Sequence, residues 1–186
     1  MLFISVFQFS NINHLLCPMT TYEKKWYAIY TNPRAEKKTA GKLLEKGIEV
    51  YLPLQTTIKQ WSDRKKKVEE PLFKSYVFVC VNFEAERLSV LETHGVVKFV
   101  RIGGEVPVIR TAVINAIKLS LANFADIEIT NQDLHINQSV EVIAGPLRGY
   151  TGKIMEQHGN QYFAVHIEEL GTHLLLKIPA THLQII

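Results

Sequence analysis

The fold turns on Glu70-Pro71-Leu72-Phe73-Lys74-Ser75-Tyr76-Val77-Phe78-Val79-Cys80-Val81. From Tyr76 onward this is an unbroken run of aromatic, β-branched and small apolar residues. Such a run suits a strand covered on both faces better than one with a face in water. It predicts the central strand of a sheet. Immediately upstream, Asp63-Arg64-Lys65-Lys66-Lys67 is the densest charge in the chain. A basic tip therefore feeds directly into an aromatic core element.

Working outward toward the start, residues 25–31 form a short aromatic and β-branched run closed by Asn32-Pro33. They predict a first strand passing straight into a helix. Asn32 is a suitable N-cap, Pro33 belongs at the first helical position, and Glu36 lies near the positive end of the helix dipole. Thr39, Ala40, Leu43 and Leu44 share one side of that helix; Arg34, Lys37, Lys38, Lys42 and Lys46 spread over the other, and Gly47 ends it. Those cations are either a solvated face or a flank for passing DNA. Residues 48–54 alternate as a one-sided strand. Residues 56–61 and 66–71 flank Ser62-Asp63-Arg64-Lys65, which predicts a protruding hairpin with a basic tip. Beside Trp61 that tip is either a solubility device or a phosphate contact.

Downstream of the central run, Asn82 caps a short helix through Leu88 and Leu91 that Gly95 stops. Residues 96–102 read as a strand, Gly103-Gly104 as a turn, 105–109 as its return, and Thr111 as the cap of a helix carrying Val113, Ile114, Ile117 and Leu121. Strands alternating with helices on one face predict a small α+β sandwich with a mostly antiparallel sheet over 24–122. Periodicity then fades over 123–137 into Asn123, Asp126, Asn131, Gln132 and Asp133, a polar linker. From 138 to 186 the grammar changes. Runs at 139–144, 153–158, 161–168, 173–179 and 183–186, separated by glycine-containing turns, predict a five-stranded SH3-like barrel. Gly145, Pro146, Gly149 and Gly152 mark a tight corner of it, where turns and close backbone approach leave no room for a Cβ.

Residues 1–23 are expected to be a poorly ordered extension, with Met1 or Met19 as the start. They lack a secretory pattern and are too interrupted by Gln8, Asn11, Asn13 and His14 to span a bilayer. Of the 186 residues, 47% are hydrophobic and 21% charged, as in ordinary soluble globular chains. Cys17 and Cys80 make no disulfide framework, which suits a reducing cytoplasmic setting. The formal charge of +3 conceals an asymmetry. Lys and Arg outnumber Asp and Glu by 18 to 11 in residues 1–123, whereas the ratio is 3 to 7 in residues 124–186. Nucleic-acid contact is therefore expected in the first part and a protein partner in the second. There is no glycine-rich phosphate loop, no metal-spaced His and Cys cluster and no nucleophile signature, so the sequence predicts no enzyme, no catalytic residue, no metal and no cofactor.

Residues 140–154 resemble a KOW motif, and the first domain resembles the N-terminal domain of the NusG family of transcription elongation factors. The matching pieces, in order, are Lys25-Trp26-Tyr27, the helix from Pro33, Tyr51-Leu52-Pro53, Pro71-Leu72-Phe73, Ser75-Tyr76-Val77-Phe78-Val79 and Gly95-Val96-Val97-Lys98-Phe99-Val100. The basic run at 63–67 leading through Glu70 to Phe78 looks closer to operon-specific paralogues, RfaH and the capsule-operon antiterminators, than to the housekeeping factor.

The resemblance implies a non-enzymatic, monomeric cytoplasmic regulator that rides on the large subunits of RNA polymerase. Its clamp-helix contact would be Tyr30, Glu70, Phe73, Tyr76 and Phe78. Arg87, Leu88 and Ser89 fall at a gate-loop contact, departing from the His-Thr-Thr form found there in the paralogues. Lys42, Lys46, Arg64, Lys65 and Lys66 would follow DNA in the elongation complex, and a ribosomal protein or the termination factor Rho would be the KOW partner. Two alternatives stand beside this reading: a housekeeping factor coupling polymerase to Rho or the ribosome, and a ribosomal-type KOW RNA-binding protein. The second predicts a basic barrel, against the acidic balance of 124–186.

Overall fold

The computed structural model describes residues 23–60, 65–124, 127–130, 136–157 and 160–186. The first unit runs Lys25–Thr31 (β1), Glu36–Glu45 (α1), Glu49–Tyr51 (β2), Leu54–Gln60 (β3), Lys65–Pro71 (β4), Tyr76–Val81 (β5), Phe83–Leu91 (α2), Val96–Phe99 (β6) and Thr111–Asn123 (α3). Its sheet has the order β2-β5-β1-β6, with β5 paired antiparallel to both β2 and β1. The doubly apolar run thus lies inside the sheet, where both faces can be covered. β3 and β4 form a separate two-stranded hairpin with Gln60 opposite Lys65. Trp61 and Arg64, at its expected tip, lie outside the described residues, as do residues 1–22 of the expected extension.

Alternation along β1 and β5 divides the core. Tyr27, Ile29, Val77, Val79 and Val81 face Ala40 and Leu43 of α1 and Val90 of α2. Trp26, Ala28, Phe78 and Cys80 join the opposite cluster with Ile114 and Ile117 of α3. The helices were expected on one face; they take both, because neither face of these strands is polar enough to meet water.

Local chemistry explains most boundaries. α1 ends in a Schellman arrangement: Ile48 N–H donates to Leu43 O at 3.1 Å and Gly47 N–H to Leu44 O at 2.9 Å, with Gly47 at φ 76. Asn82 caps α2, its Oδ1 accepting from Glu84 N–H at 3.1 Å, while Glu86 Oε2 accepts from Asn82 N–H at 2.7 Å. Several expectations need correction: the strand read over 96–102 ends at Phe99, and that over 48–54 spans only Glu49–Tyr51. α1 starts at Glu36 rather than Pro33, since Asn32 N–H is committed to Gly95 O at 2.9 Å and Asn32 O to a turn closed by Ala35 N–H at 3.1 Å. Thr111 is the first residue of α3, not its cap; the N-cap is Arg110, whose side chain makes no capping bond. Residues 105–109 form isolated bridges rather than a strand, Ile102 to Glu105 and Trp26 to Ile109; Pro107 between them has no N–H to offer a ladder.

The second unit comprises Ile127–Thr130 (β7), Ile136–Val142 (β8), Thr151–Gln157 (β9), Asn160–Ile167 (β10), Thr172–Leu176 (β11) and Leu183–Ile185 (β12), ordered β12-β8-β9-β10-β11-β7 and antiparallel throughout. β8 to β12 are the five strands read from the sequence. They form a KOW-type sheet that stays open between β12 and β7. β7 comes from the stretch read as linker. The glycine corner is built as expected: Gly149, at φ 86, donates its N–H to Val142 O at 2.7 Å. A Cβ on Gly152 would fall 2.6 Å from the Phe163 ring and 2.7 Å from Ala164 O, so only glycine fits there.

Candidate protein-docking site

The site begins with a strained turn. Ser75 sits at φ 64, a left-handed conformation that costs a non-glycine residue about 1 kcal/mol. Three hydrogen bonds hold the turn in place. Glu36 Oε1 accepts from Ser75 N–H at 2.7 Å, Ser75 O accepts from Thr31 N–H at 2.8 Å, and Pro53 O accepts from Leu72 N–H at 2.9 Å. Glu36 is itself buried, so the pin is shielded from solvent. The consequence is directional: Phe73 and Tyr76 are fixed on the α3 side of the sheet, level with Phe78.

There the expected residues do come together. The Tyr30 and Tyr76 hydroxyls are 2.6 Å apart and their rings 4.5 Å apart. The Phe73 ring meets Phe78 edge-on at 5.6 Å and Tyr76 at 6.5 Å. Glu70 lines the same cleft as Phe73 and Tyr76. Burial, then the bond to Tyr30, pushes the Tyr76 hydroxyl far above its ordinary value, and burial raises Tyr51 to about 12. A patch of rings with polar tips and a charged rim is the composition of protein interfaces.

That patch is covered. Phe73 is only 4% exposed, and it and Phe78 share one continuous cluster with Ile127, Ile167 and Leu174 of the second unit. Between the units a cleft of about 460 Å³ has Phe73, Tyr76 and Glu70 on one wall and Ile127, Ile129 and Leu170 on the other. An ion pair clasps its neighbourhood: Arg110 Nε donates to Glu169 Oε1 at 2.7 Å. Burial pushes the Glu169 carboxyl up, but the Arg110 guanidinium and backbone hydrogen bonds more than offset this and its pKa ends below the usual value. Sequence reasoning did not find this clasp, nor Glu36 as the pin, because each pair is far apart in the chain. β7 did leave a signal: Ile127-Glu128-Ile129-Thr130 alternates as a strand does.

The other expected residues lie elsewhere. Arg87, Leu88 and Ser89 are on α2, which covers the opposite face of the sheet. Leu88 is 62% exposed, Arg87 lies 5.9 Å from the Phe83 ring centre, and Ser89 O accepts from Lys46 Nζ at 2.9 Å. Lys46 thus ties α1 to α2. Lys42 is half-buried on α1 and Lys66 exposed on β4. A bond between Lys37 Nζ and Glu69 Oε2, 3.4 Å, joins the helix and the hairpin on one side of the molecule. Gly145 and Pro146 open the turn after β8, and Gly152 lies in β9. Among the described residues no group of three or more His, Cys, Asp or Glu is placed to hold a metal ion. No described helix is long and apolar enough to cross a membrane.

The molecule is thus a two-unit protein, an α/β sandwich with a ring cluster on one face of its sheet followed by a KOW-type antiparallel sheet unit. The chain belongs to the NusG family: the family profile described as "Transcription termination factor nusG" matches residues 24–118, just over half of the chain. The transcription termination/antitermination protein NusG of Streptococcus pyogenes serotype M3 is 26% identical over 157 residues, spanning 77% of this chain and 86% of that protein. The solved structure of Thermotoga maritima NusG, 22% identical, superposes with a TM-score of 0.53 over 87% of this chain and 97% of that one, which shows the shared fold. The protein is thus a transcription termination and antitermination factor of this family.

Proposed function

We propose that this factor binds RNA polymerase through the face made by Tyr30, Glu70, Phe73, Tyr76 and Phe78, and there suppresses pausing or termination. The observation that carries the reading is the turn at 72–75. A strained Ser75, pinned by the buried Glu36, serves to aim Phe73 and Tyr76 outward from the sheet. The clamp helices of the largest subunit are the partner, and Leu88 with Arg87 and Ser89, on the far side of the sheet, meet the second large subunit. Holding both would disfavour the opening that accompanies pausing. Lys42 and Lys66, with Lys46, Arg64 and Lys65, lie along the DNA, and action is cytoplasmic.

Because the second unit covers Phe73, polymerase must displace it. Breaking the Arg110–Glu169 clasp should favour binding, and removing the aromatic anchors should abolish it. The resemblance of residues 63–78 to operon-specific paralogues supports action on specific operons such as those for polysaccharide synthesis, with the second unit then free for a ribosomal protein or Rho.

The test is retention of purified polymerase by the full chain. Phe73→Ala and Tyr76→Ala should each weaken it by about 2 kcal/mol or more, as interface anchors do. Unchanged retention by stably folded variants sinks the docking site. Ribosomal RNA retained in place of polymerase would favour the RNA-binding alternative.

A further inference from the structure

β7 links α3 to the edge of the second unit's sheet, within the stretch that reads as linker. Its residues pair with the edge of the KOW-type sheet, Ile127 opposite Leu176 and Thr130 opposite His173. Two side-chain bonds reinforce the ladder, Thr172 Oγ1 to Thr130 O at 3.0 Å and Tyr162 hydroxyl to Glu128 Oε1 at 3.4 Å. Ile127 is buried in the cluster that includes Phe73 and Phe78, and Ile129 lines the cleft beside Phe73 and Tyr76. One short strand therefore caps the edge of β11 and fills the space beneath the aromatic face.

Chain length makes this arrangement consequential. While β7 is paired, the covalent tether between α3 and the second unit is residues 124–126, which reach about 10 Å fully extended. If β7 unpairs, the tether becomes residues 124–135, with a reach of about 40 Å. The first length holds the units at contact distance; the second allows them to part completely. The exposed edge of β11 would meanwhile offer a row of unpaired backbone groups, which is a template for another strand.

We propose that β7 is a strand plug held in cis: it occupies a strand-addition site on β11 and, by doing so, keeps the tether short and the second unit seated on the aromatic face. The ligand of the opened site is an extended protein segment with branched apolar residues two apart around an acidic one, as in Ile127-Glu128-Ile129. Backbone bonds to β11 supply the affinity, and the alternating side chains supply the selectivity. Binding of such a strand and separation of the two units are one coupled transition, so each promotes the other. The inference concerns the chain alone and stands apart from polymerase binding.

The test titrates a fluorescent peptide of residues 124–131 into the full chain and into its Ile129→Pro variant, and compares their maximum dimensions by solution scattering. Proline at 129 cannot donate to the ladder and disfavours pairing. The variant should bind the peptide at least ~10-fold more tightly than the parent, because the tethered strand no longer competes at high effective concentration. It should also be longer in solution. Equal affinity, or a variant that neither binds peptide nor lengthens while keeping its strand circular dichroism, overturns the proposal. A second pair guards against misfolding: Thr130→Cys with His173→Cys, in a Cys17→Ser background, staples β7 to β11. The oxidised form should bind the peptide at least ~10-fold more weakly than the reduced form. No difference between them overturns the proposal equally.

Discussion

The two faces of the first sheet are closed by different means. On one, Tyr27, Ile29, Val77 and Val79 lie under α1 and α2, helices that adjoin those strands in the chain. On the other, Trp26, Ala28 and Phe78 lie under α3, and Phe73 lies against a unit that begins beyond residue 123. The first closure is apolar with capped, short connections. The second includes a charged clasp whose Arg110 side chain is 62% exposed, a cleft and a half-buried tyrosine pair. A face closed by its own chain neighbours is core. One closed by a separate unit over a polar rim has the makings of a reversible interface.

The sharpest way to break that distinction is to create cavities on the local side. Leu43 is fully buried there, and Leu43→Ala should lower global stability by about 3 kcal/mol in denaturant unfolding. If the loss instead appeared as separation of the units with the sandwich intact, the two faces would not differ as described. On the other side, Glu36→Ala removes the pin on Ser75. The expected cost is about 1.5 kcal/mol, from leaving the Ser75 N–H without its charged acceptor. It should appear as faster hydrogen exchange at 73–76 and over β7, while β1 and β5 stay protected. Adding Ser75→Gly should recover part of the loss, since glycine adopts φ 64 without strain.

The smallest effect belongs to the clasp. Arg110 is largely in solvent, so the pair is discounted to about 0.5 kcal/mol. Its pH dependence has a definite sign. The docked Glu169 pKa is lowered, so its contribution is fully present above the ordinary glutamate value of about 4.3 and is lost as pH falls through the lowered one. Docking followed by exchange at β7 should weaken in acid, and Glu169→Gln should flatten that profile. A Glu169→Gln profile as steep as the parent's would assign the acid response to another group.

Much of the fold was legible because its causes are local. The unbroken run at 76–81 placed the central strand, Asn82 and Gly47 placed helix ends, and the glycine corner at 145–152 placed the second unit's turn. The aromatic set at the candidate site was nameable for a different reason: the resemblance to the NusG family carried those positions over, whereas the strand pattern alone makes Tyr76 and Phe78 core residues. Where local signals misled, a distant partner had intervened. Gly95 claims Asn32 and shifts the start of α1, and the second unit's Glu169 takes the side chain of the residue that precedes α3. The 123–137 stretch is polar enough to read as linker, yet Ile127–Thr130 form a strand on the open edge of β11, Ile136 and Asn137 begin β8, and Asn123 ends α3.

The sequence by itself determined the central strand at 76–81, the five strand runs beyond 138 and the turns at Gly47 and at 145–152, since spacing and side-chain shape act over a few residues; β7, and the loss of the strand read at 105–109, came only with the fold. Only the tertiary structure decided which face of the sheet each helix covers, that Glu36 holds Ser75, and that the second unit sits over Phe73. Those outcomes depend on groups 39 residues apart for Glu36 and Ser75 and 59 apart for Arg110 and Glu169. No periodicity spans such distances; they are settled when the closed chain finds partners for its buried polar groups and covers its remaining apolar face.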